Sequence, residues 1–304
     1  RTGQLDSRVS RALERIPAAG WAMLTVLVWA SLAPLGVAVG HLPPFLITGC
    51  GLLVGGALAL PQIISQRLWR LDGVTWLIGI GGLFGYHALL FAALQMAPPV
   101  AANLVNYLWP MGIVVMAAWF IPGVTWTWGH ALAAALGFTG SALAILGNHT
   151  LEAPQPREWW GYGCALAAAF AWASYSLLTK RRSHVPTAAI GALCLVAGSL
   201  SLLMHSVFEP RVAISQSDAL VLVLLGLGPV GGAFFLWDLA LKKGDARQVG
   251  LWAFLTPVLS TAALAWQSNQ VLSWQLLLAT ALVVGSALIG RWVSAQAAAA
   301  LPSK

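Results

Sequence analysis

The sequence predicts an all-α polytopic membrane protein, on three observations: scarce charge, the spacing of that charge, and the sidedness of its basic part. Of 304 residues, 59% are apolar and 8% are Asp, Glu, Lys or Arg, whereas a soluble domain carries roughly 25% charged residues. The charge-free stretches are 16–66, 73–151, 159–179, 183–208, 219–237 and 248–290. A helix needs about 20 mostly apolar residues to cross a hydrocarbon core of about 30 Å. The six stretches therefore have room for two, three, one, one, one and two crossings, ten in all. With both ends inside, the inner segments hold Arg1, Arg8, Arg11, Arg15, Arg67, Arg70, Lys180, Arg181, Arg182, Lys242, Lys243, Arg247, Arg291 and Lys304. Only Arg157 and Arg211 fall outside, and that asymmetry is the positive-inside signature. The net charge of +7 thus reads as topology facing anionic lipid, and no nucleic-acid partner is expected.

The expected spans are 17–40, 43–65, 74–96, 98–120 and 127–147 in a first half, then 159–180, 187–208, 217–241, 246–267 and 272–294 in a second. Residues 1–16 form a basic cytoplasmic segment, 148–158 a periplasmic linker containing Pro154 and Pro156, and 295–304 a cytoplasmic tail. The first apolar run follows a basic leader without a small-residue cleavage site, so it reads as a helix rather than a removable signal. Cys50, Cys164 and Cys194 all fall inside spans, where each reads as a packing residue. They are too dispersed for a disulfide framework or a metal site.

The halves resemble each other. Trp29-Ala30-Ser31 recurs as Trp172-Ala173-Ser174, Pro110 as Pro257, and Gly140-Ser141-Ala142-Leu143 as Gly285-Ser286-Ala287-Leu288, at offsets of 143, 147 and 145 residues. Because five spans is an odd number, the second copy must enter the membrane upside down, the organisation of secondary transporters that hold substrate near midplane. Clustered glycines (79, 81, 82 and 85; 226, 228, 231 and 232) permit close backbone packing where lipid supplies no hydrophobic drive. Pro229 adds a point at which the eighth span can flex.

Polar and aromatic groups concentrate on matching faces. Asn103, Asn106, Tyr107 and Pro110 lie at i, i+3, i+4 and i+7 of the fourth span. Pro110 leaves the carbonyl of Asn106 without its helical donor, and Pro257 does the same for Ala253. Such carbonyls survive in a bilayer only beside protein or a wet cavity. Trp172, Tyr175, Ser176 and Thr179 form a second stripe on the sixth span. Tyr86 and His87 on the third, Trp237 and Asp238 on the eighth and Trp252 on the ninth complete the candidate lining. Of the sixteen Trp, Trp21, Trp69, Trp76, Trp126, Trp128, Trp159, Trp160, Trp266, Trp274 and Trp292 sit near span ends, as interfacial belts do. Trp29, Trp109, Trp172, Trp237 and Trp252 lie deep. Together these suggest a mid-membrane chamber with aromatic walls and sparse polar points.

Intramembrane ionisable groups are functional suspects. His87 reads as a proton-sensitive gate, a donor to substrate, or a link between helices. Asp238 reads as an i, i+4 partner of Lys242, or as an attractor of amino groups at the inner mouth. The first span lacks the buried acid that a proton-coupled exporter of hydrophobic cations requires. No acidic pair, zinc set, P-loop or nucleophile motif appears, so no enzyme and no cofactor are expected.

On these residues the chain resembles the drug/metabolite transporter superfamily of the EamA-domain type. Asn106-Tyr107-Leu108-Trp109-Pro110, Phe170-Ala171-Trp172-Ala173 and Leu255-Thr256-Pro257-Val258-Leu259-Ser260 resemble its YddG-type branch of aromatic amino acid exporters. That resemblance implies a bacterial inner-membrane exporter of aromatic and other hydrophobic amino acids through a central cavity, with a monomer one of the oligomeric states open to it. It carries Tyr107, Trp109 and Trp172 to cavity positions. Asp238 departs from the Asn common there, and the polar identity at Tyr86 and His87 varies in the family. The alternatives are export of another small metabolite or drug, or a non-transporting membrane scaffold.

Overall fold

A computed structural model describes residues 15–147, 149–271 and 273–299. Arg1, Arg8, Arg11 and Lys304, which carry part of the charge asymmetry, lie outside the described residues, as do most of the N-terminal segment and the last five residues of the tail. Among the described residues there are helices and no strands. They group as α1 (Ala18–Ala38), α2 (Pro44–Ala57, followed by a short helix Leu60–Ser65), α3 (Gly73–Met96), α4 (Pro99–Phe120) and α5 (Trp128–Leu146). The rest are α6 (Glu158–Arg181), α7 (Ala189–Phe208), α8 (Gln216–Lys243), α9 (Ala246–Gln267) and α10 (Trp274–Ala299).

Nine of these are long and apolar enough to cross a membrane. The exception is α2, whose 14 residues rise only about 21 Å. An unbroken second span was expected; the break has a covalent cause. Pro61 has no N–H to give the carbonyl of Ala57, and α2 stops there. The same rule sets three further breaks. The first segment of α1 ends at Ala30, four residues before Pro34. That of α4 ends at Asn106, four before Pro110, and that of α9 at Ala253, four before Pro257. In α3 a wide π-type turn occupies Gly81–Gly85. At the corresponding place α8 is interrupted between Leu227 and Gly232, where Val230 and Ala233 donate to carbonyls five residues back, those of Leu225 and Gly228. Wide turns of this kind collect at functional sites.

Packing pairs helices from opposite halves. α6 lies on α3 and α4, α1 lies on α8 and α9, α2 on α7, and α5 on α10. Glycine makes the closest of these contacts possible. Gly49 and Gly56 of α2 meet Gly198 and Gly191 of α7, and Gly55 meets Gly231 of α8 backbone to backbone. A buried aromatic and aliphatic core is built around Trp29, Trp109, Trp172, Tyr175 and Trp237.

One end of the bundle carries the turns near residues 40–44, 96–99 and 209–216; the other carries 66–72, 121–127, 181–188 and 243–246. At the first end Glu209 accepts from the backbone N–H groups of Phe45 and Leu46, and His41 lies 3.3 Å from Asp218. At the second, Arg182 pairs with Asp72 at 2.6 Å. Arg67, Arg70, Lys180, Arg181, Lys242, Lys243 and Arg247 lie at this second, basic end.

Trp69, Trp126, Trp128, Trp159, Trp160, Trp266, Trp274 and Trp292 are exposed, matching the expected belts. Trp21 is not: it is 5% exposed, with the ammonium of Lys243 5.6 Å from its ring.

Candidate functional site

A cavity of about 660 Å³ occupies the centre of the bundle. It reaches from the rings of Trp29, Trp109 and Trp172 up to Pro44, Leu94, Pro99, Ile145 and Leu264, near the helix ends opposite the basic turns. Its floor is aromatic. Trp29, Trp109 and Trp172 form it and Trp237 packs beneath them; the four come from different helices, α1, α4, α6 and α8, with ring centroids 5.1 to 6.3 Å apart in five of the six pairings. Most are tilted or edge-to-face, the arrangement aromatic quadrupoles favour. Tyr86 and Phe234 extend this surface, with centroids 5.1 and 5.5 Å from Trp172. Beneath the floor the indole N–H of Trp237 donates to Ser176 Oγ at 3.0 Å.

Polar atoms are few and clustered. Asn106 is buried; its Nδ2 donates to Tyr86 Oη at 3.2 Å, while its Oδ1 has no partner. Thr256, beside Pro257 on α9, has a buried hydroxyl close to that of Tyr107. A buried, unsatisfied acceptor costs about 1–3 kcal/mol, so this wall is suited to a ligand that supplies donors. His87 Nδ1 lies 2.5 Å from the carbonyl of Leu83 in the wide turn of α3. A carbonyl only accepts, so Nδ1 carries a proton and Nε2 is the ring's acceptor when neutral. Ser260 donates at 3.4 Å to the carbonyl of Ala30, the one freed by Pro34, and so ties α9 to the break in α1. No Asp or Glu is among the described residues that line the cavity.

Two stretches of the chain, residues 16–146 and 159–291, match the EamA-like transporter family. The chain belongs to that family. Among its relatives is the aromatic amino acid exporter YddG of Ancylobacter novellus, 38% identical over 87% of this chain and 93% of that protein. The uncharacterized transporter YvbV of Bacillus subtilis is 27% identical over 91% of this chain and 92% of its own. A solved crystal structure, 37% identical, superimposes with a TM-score of 0.86 over 92% of this chain and 98% of that one.

Within this EamA chain the structure brings Tyr86, His87, Asn106, Tyr107, Trp109 and Trp172 together on the cavity wall, with Pro229 and Pro257. Five other candidates lie elsewhere. Tyr175 shares a helical stripe with Trp172, but its ring lies directly on the backbone of Gly82. Trp237 is one layer below the cavity. Asp238 is buried, paired with Lys242 at 2.7 Å and accepting from Thr187 Oγ1 at 2.6 Å. Trp252 is partly buried against the packed core, and Pro110 lies buried behind Trp109. The lining also includes Trp29, expected among the deep tryptophans, and Phe91, Phe234, Thr256, Ser260 and Thr261. A signal existed for some of them: Trp29 is the repeat partner of Trp172, and residues 256, 260, 261 and 264 share one face of the helix Leu255–Gln267.

Proposed function

We propose that this chain is a bacterial inner-membrane exporter of aromatic and other hydrophobic amino acids, working by alternating access between two inverted five-crossing halves. The observation that carries this reading is a deep cavity floored by Trp29, Trp109 and Trp172, with the unpaired Asn106 oxygen in its wall and no acid among its described lining residues. A zwitterion fits that chemistry. Its side chain rests on Trp29, Trp109, Trp172 and Phe234, its ammonium approaches Asn106 Oδ1, and its carboxylate approaches Thr256 and the other wall hydroxyls. A lipophilic cation would find rings but no counter-charge. The relative from Ancylobacter novellus bears the name of an aromatic amino acid exporter, which supports the same substrate class.

Orientation follows from charge. With Lys180, Arg181, Arg182, Lys242, Lys243 and Arg247 on the cytoplasmic side, both termini are cytoplasmic and the cavity faces the periplasm. Ten crossings then require α2 and its continuation, residues 44–65, to span together. Repeated breaks at matching depths in α3 and α8, and in α4 and α9, support two related halves. The test is uptake of labelled phenylalanine into inside-out vesicles, with unlabelled tryptophan and a lipophilic cation as competitors. Competition by tryptophan alone is expected. Absence of phenylalanine flux rejects the reading, and competition by the cation alone moves it to drug export.

A further inference from the structure

The barrier at the basic end is built between two helix groups, α3/α4/α6 and α1/α8/α9. Three contacts close it. Gly250 of α9 rests on α4 so tightly that a Cβ there would lie 3.2 Å from the carbonyl oxygen of Pro110 and 3.3 Å from Ile113. Trp237 of α8 donates to Ser176 of α6. Lys180, at the end of α6, donates to the carbonyls of Leu241, at 2.6 Å, and of Gly244, at the end of α8.

If one half is the other inserted upside down, each contact at the basic end has a counterpart at the open end, located by the repeat register. The offset of 147 between Pro110 and Pro257 carries Gly250, Pro110 and Ile113 to Asn103, Pro257 and Ser260. Trp29 and Trp172 are 143 apart; Tyr86 and Gly232, where α3 and α8 resume after their interruptions, are 146 apart. Those registers carry Ser176 and Trp237 to Ala33 and Phe91. The five destinations of these two contacts line the cavity, which separates the two helix groups at that end; the Lys180 contact maps to Val37, Gln95 and Pro98, outside the lining.

We propose that Asn103 is the outer gate of this transporter: in the outward-closed state its side-chain amide meets the carbonyl of Pro257 and the hydroxyl of Ser260, sealing the substrate site from the periplasm. The two ends close by different chemistry. Gly250 lets backbone touch backbone, whereas Asn103 has a side chain that must be accommodated, and its amide has donors for the carbonyl and for Ser260. Ser260 is available for the exchange, because its present bond to Ala30 is at the long limit of hydrogen bonding. The gate rests on alternating access as read under Proposed function, but not on the identity of the substrate.

The test is cross-linking of the full chain in vesicles, with Cys50, Cys164 and Cys194 replaced by Ala. Asn103→Cys with Ser260→Cys should form a disulfide on oxidation, at a rate that changes when phenylalanine is added. Phenylalanine flux should be lost, and reductant should restore it to the rate of the reduced variant. Ile113→Cys with Gly250→Cys reports the opposite barrier. As a second measurement in the chain with its native cysteines, Asn103→His with Ser260→Cys should make flux sensitive to Cd²⁺ and recoverable with chelator, relative to the parent. The gate is overturned if the Asn103/Ser260 pair stays uncross-linked while the Ile113/Gly250 pair closes, or if its cross-link or Cd²⁺ leaves flux intact. Absence of phenylalanine flux in the native chain overturns the export reading instead, and the phenylalanine-independent cross-link still judges the gate.

Discussion

The indole N–H of Trp237 donates to the hydroxyl of Ser176 at 3.0 Å, joining α8 to α6 one layer below the cavity floor. Both groups are buried, and the bond lies between the helix groups that must part if the basic end is to open. Ser176→Ala leaves the indole N–H unpaired only while that end is closed, at a cost of about 1–3 kcal/mol. The expected outcome is a shift toward the inward-open state. A cysteine introduced at Thr179 should react faster with a small thiol reagent in the Ser176→Ala background than in the parent.

Much of this architecture was legible because its causes are local. Charge spacing located the nine helices long enough to cross a membrane, and Pro110 and Pro257 located two of the breaks, since a missing N–H acts four residues back whatever the tertiary context. The same reading extends to Pro34 and Pro61, which break α1 and α2 in the same way. Azimuth was less legible. An apolar or aromatic stripe on a helix is about 100° wide, so Trp172 and Tyr175 share a stripe while one faces the cavity and the other meets Gly82. Depth failed in the same manner at Trp237 and Asp238, which are one layer too deep to line the cavity. Trp21 shows the limit of position as evidence: near a span end in sequence, it is covered by neighbouring helices rather than lipid.

Asn106 discriminates a binding wall from a packing wall. Asn106→Leu keeps the volume but removes both the unpaired acceptor and the donor to Tyr86. Loss of one such partner for a bound ammonium should weaken phenylalanine binding by about 1–3 kcal/mol, roughly five-fold to 150-fold. Tryptophan fluorescence titration of the purified protein reads this directly, because Trp109 and Trp172 line the site. Unchanged affinity would remove Asn106 from the site.

Trp109 separates stability from transport only if it is substituted conservatively. It is 5% exposed and touches three other tryptophans, and truncating a buried aromatic to Ala costs about 3–5 kcal/mol. Trp109→Phe retains a ring and should leave the protein monodisperse in detergent. Its smaller surface should lower phenylalanine flux while Trp119→Phe, on the exposed face of α4, does not. Equal flux in the two variants would argue against an aromatic floor that holds substrate.

Helix assembly should fail first at Gly55. A Cβ at this position would fall on the backbone of Gly231, and rigid backbone yields less readily than a side chain. Gly55→Ala is expected to lower the thermal midpoint in detergent, with an overpacking cost of about 1–3 kcal/mol. Gly163→Ala, on an exposed face of α6 with open space around it, should leave the midpoint unchanged or raise it slightly.

Acid should loosen the tie between α3 and α6 at the basic end. Asp72 caps α3, accepting from the backbone N–H of Thr75 at 3.1 Å and from its hydroxyl at 2.7 Å, and it pairs with Arg182. The hydroxyl bond foremost, with help from the backbone N–H and the guanidinium, holds the carboxyl down at about 2 despite partial desolvation. A carboxyl depressed on folding adds stability above its unfolded value of about 3.9, and that contribution is lost as pH falls through the folded value. The thermal midpoint of the parent should therefore exceed that of Asp72→Asn by a constant margin at neutral pH. The margin should shrink from about pH 4 downward and close near pH 2. Arg182→Gln should show the same acid dependence with a smaller margin, because the Thr75 cap survives. A margin that persists at pH 2 would mean that the carboxylate's charge contributes nothing and that the amide fails for reasons of shape.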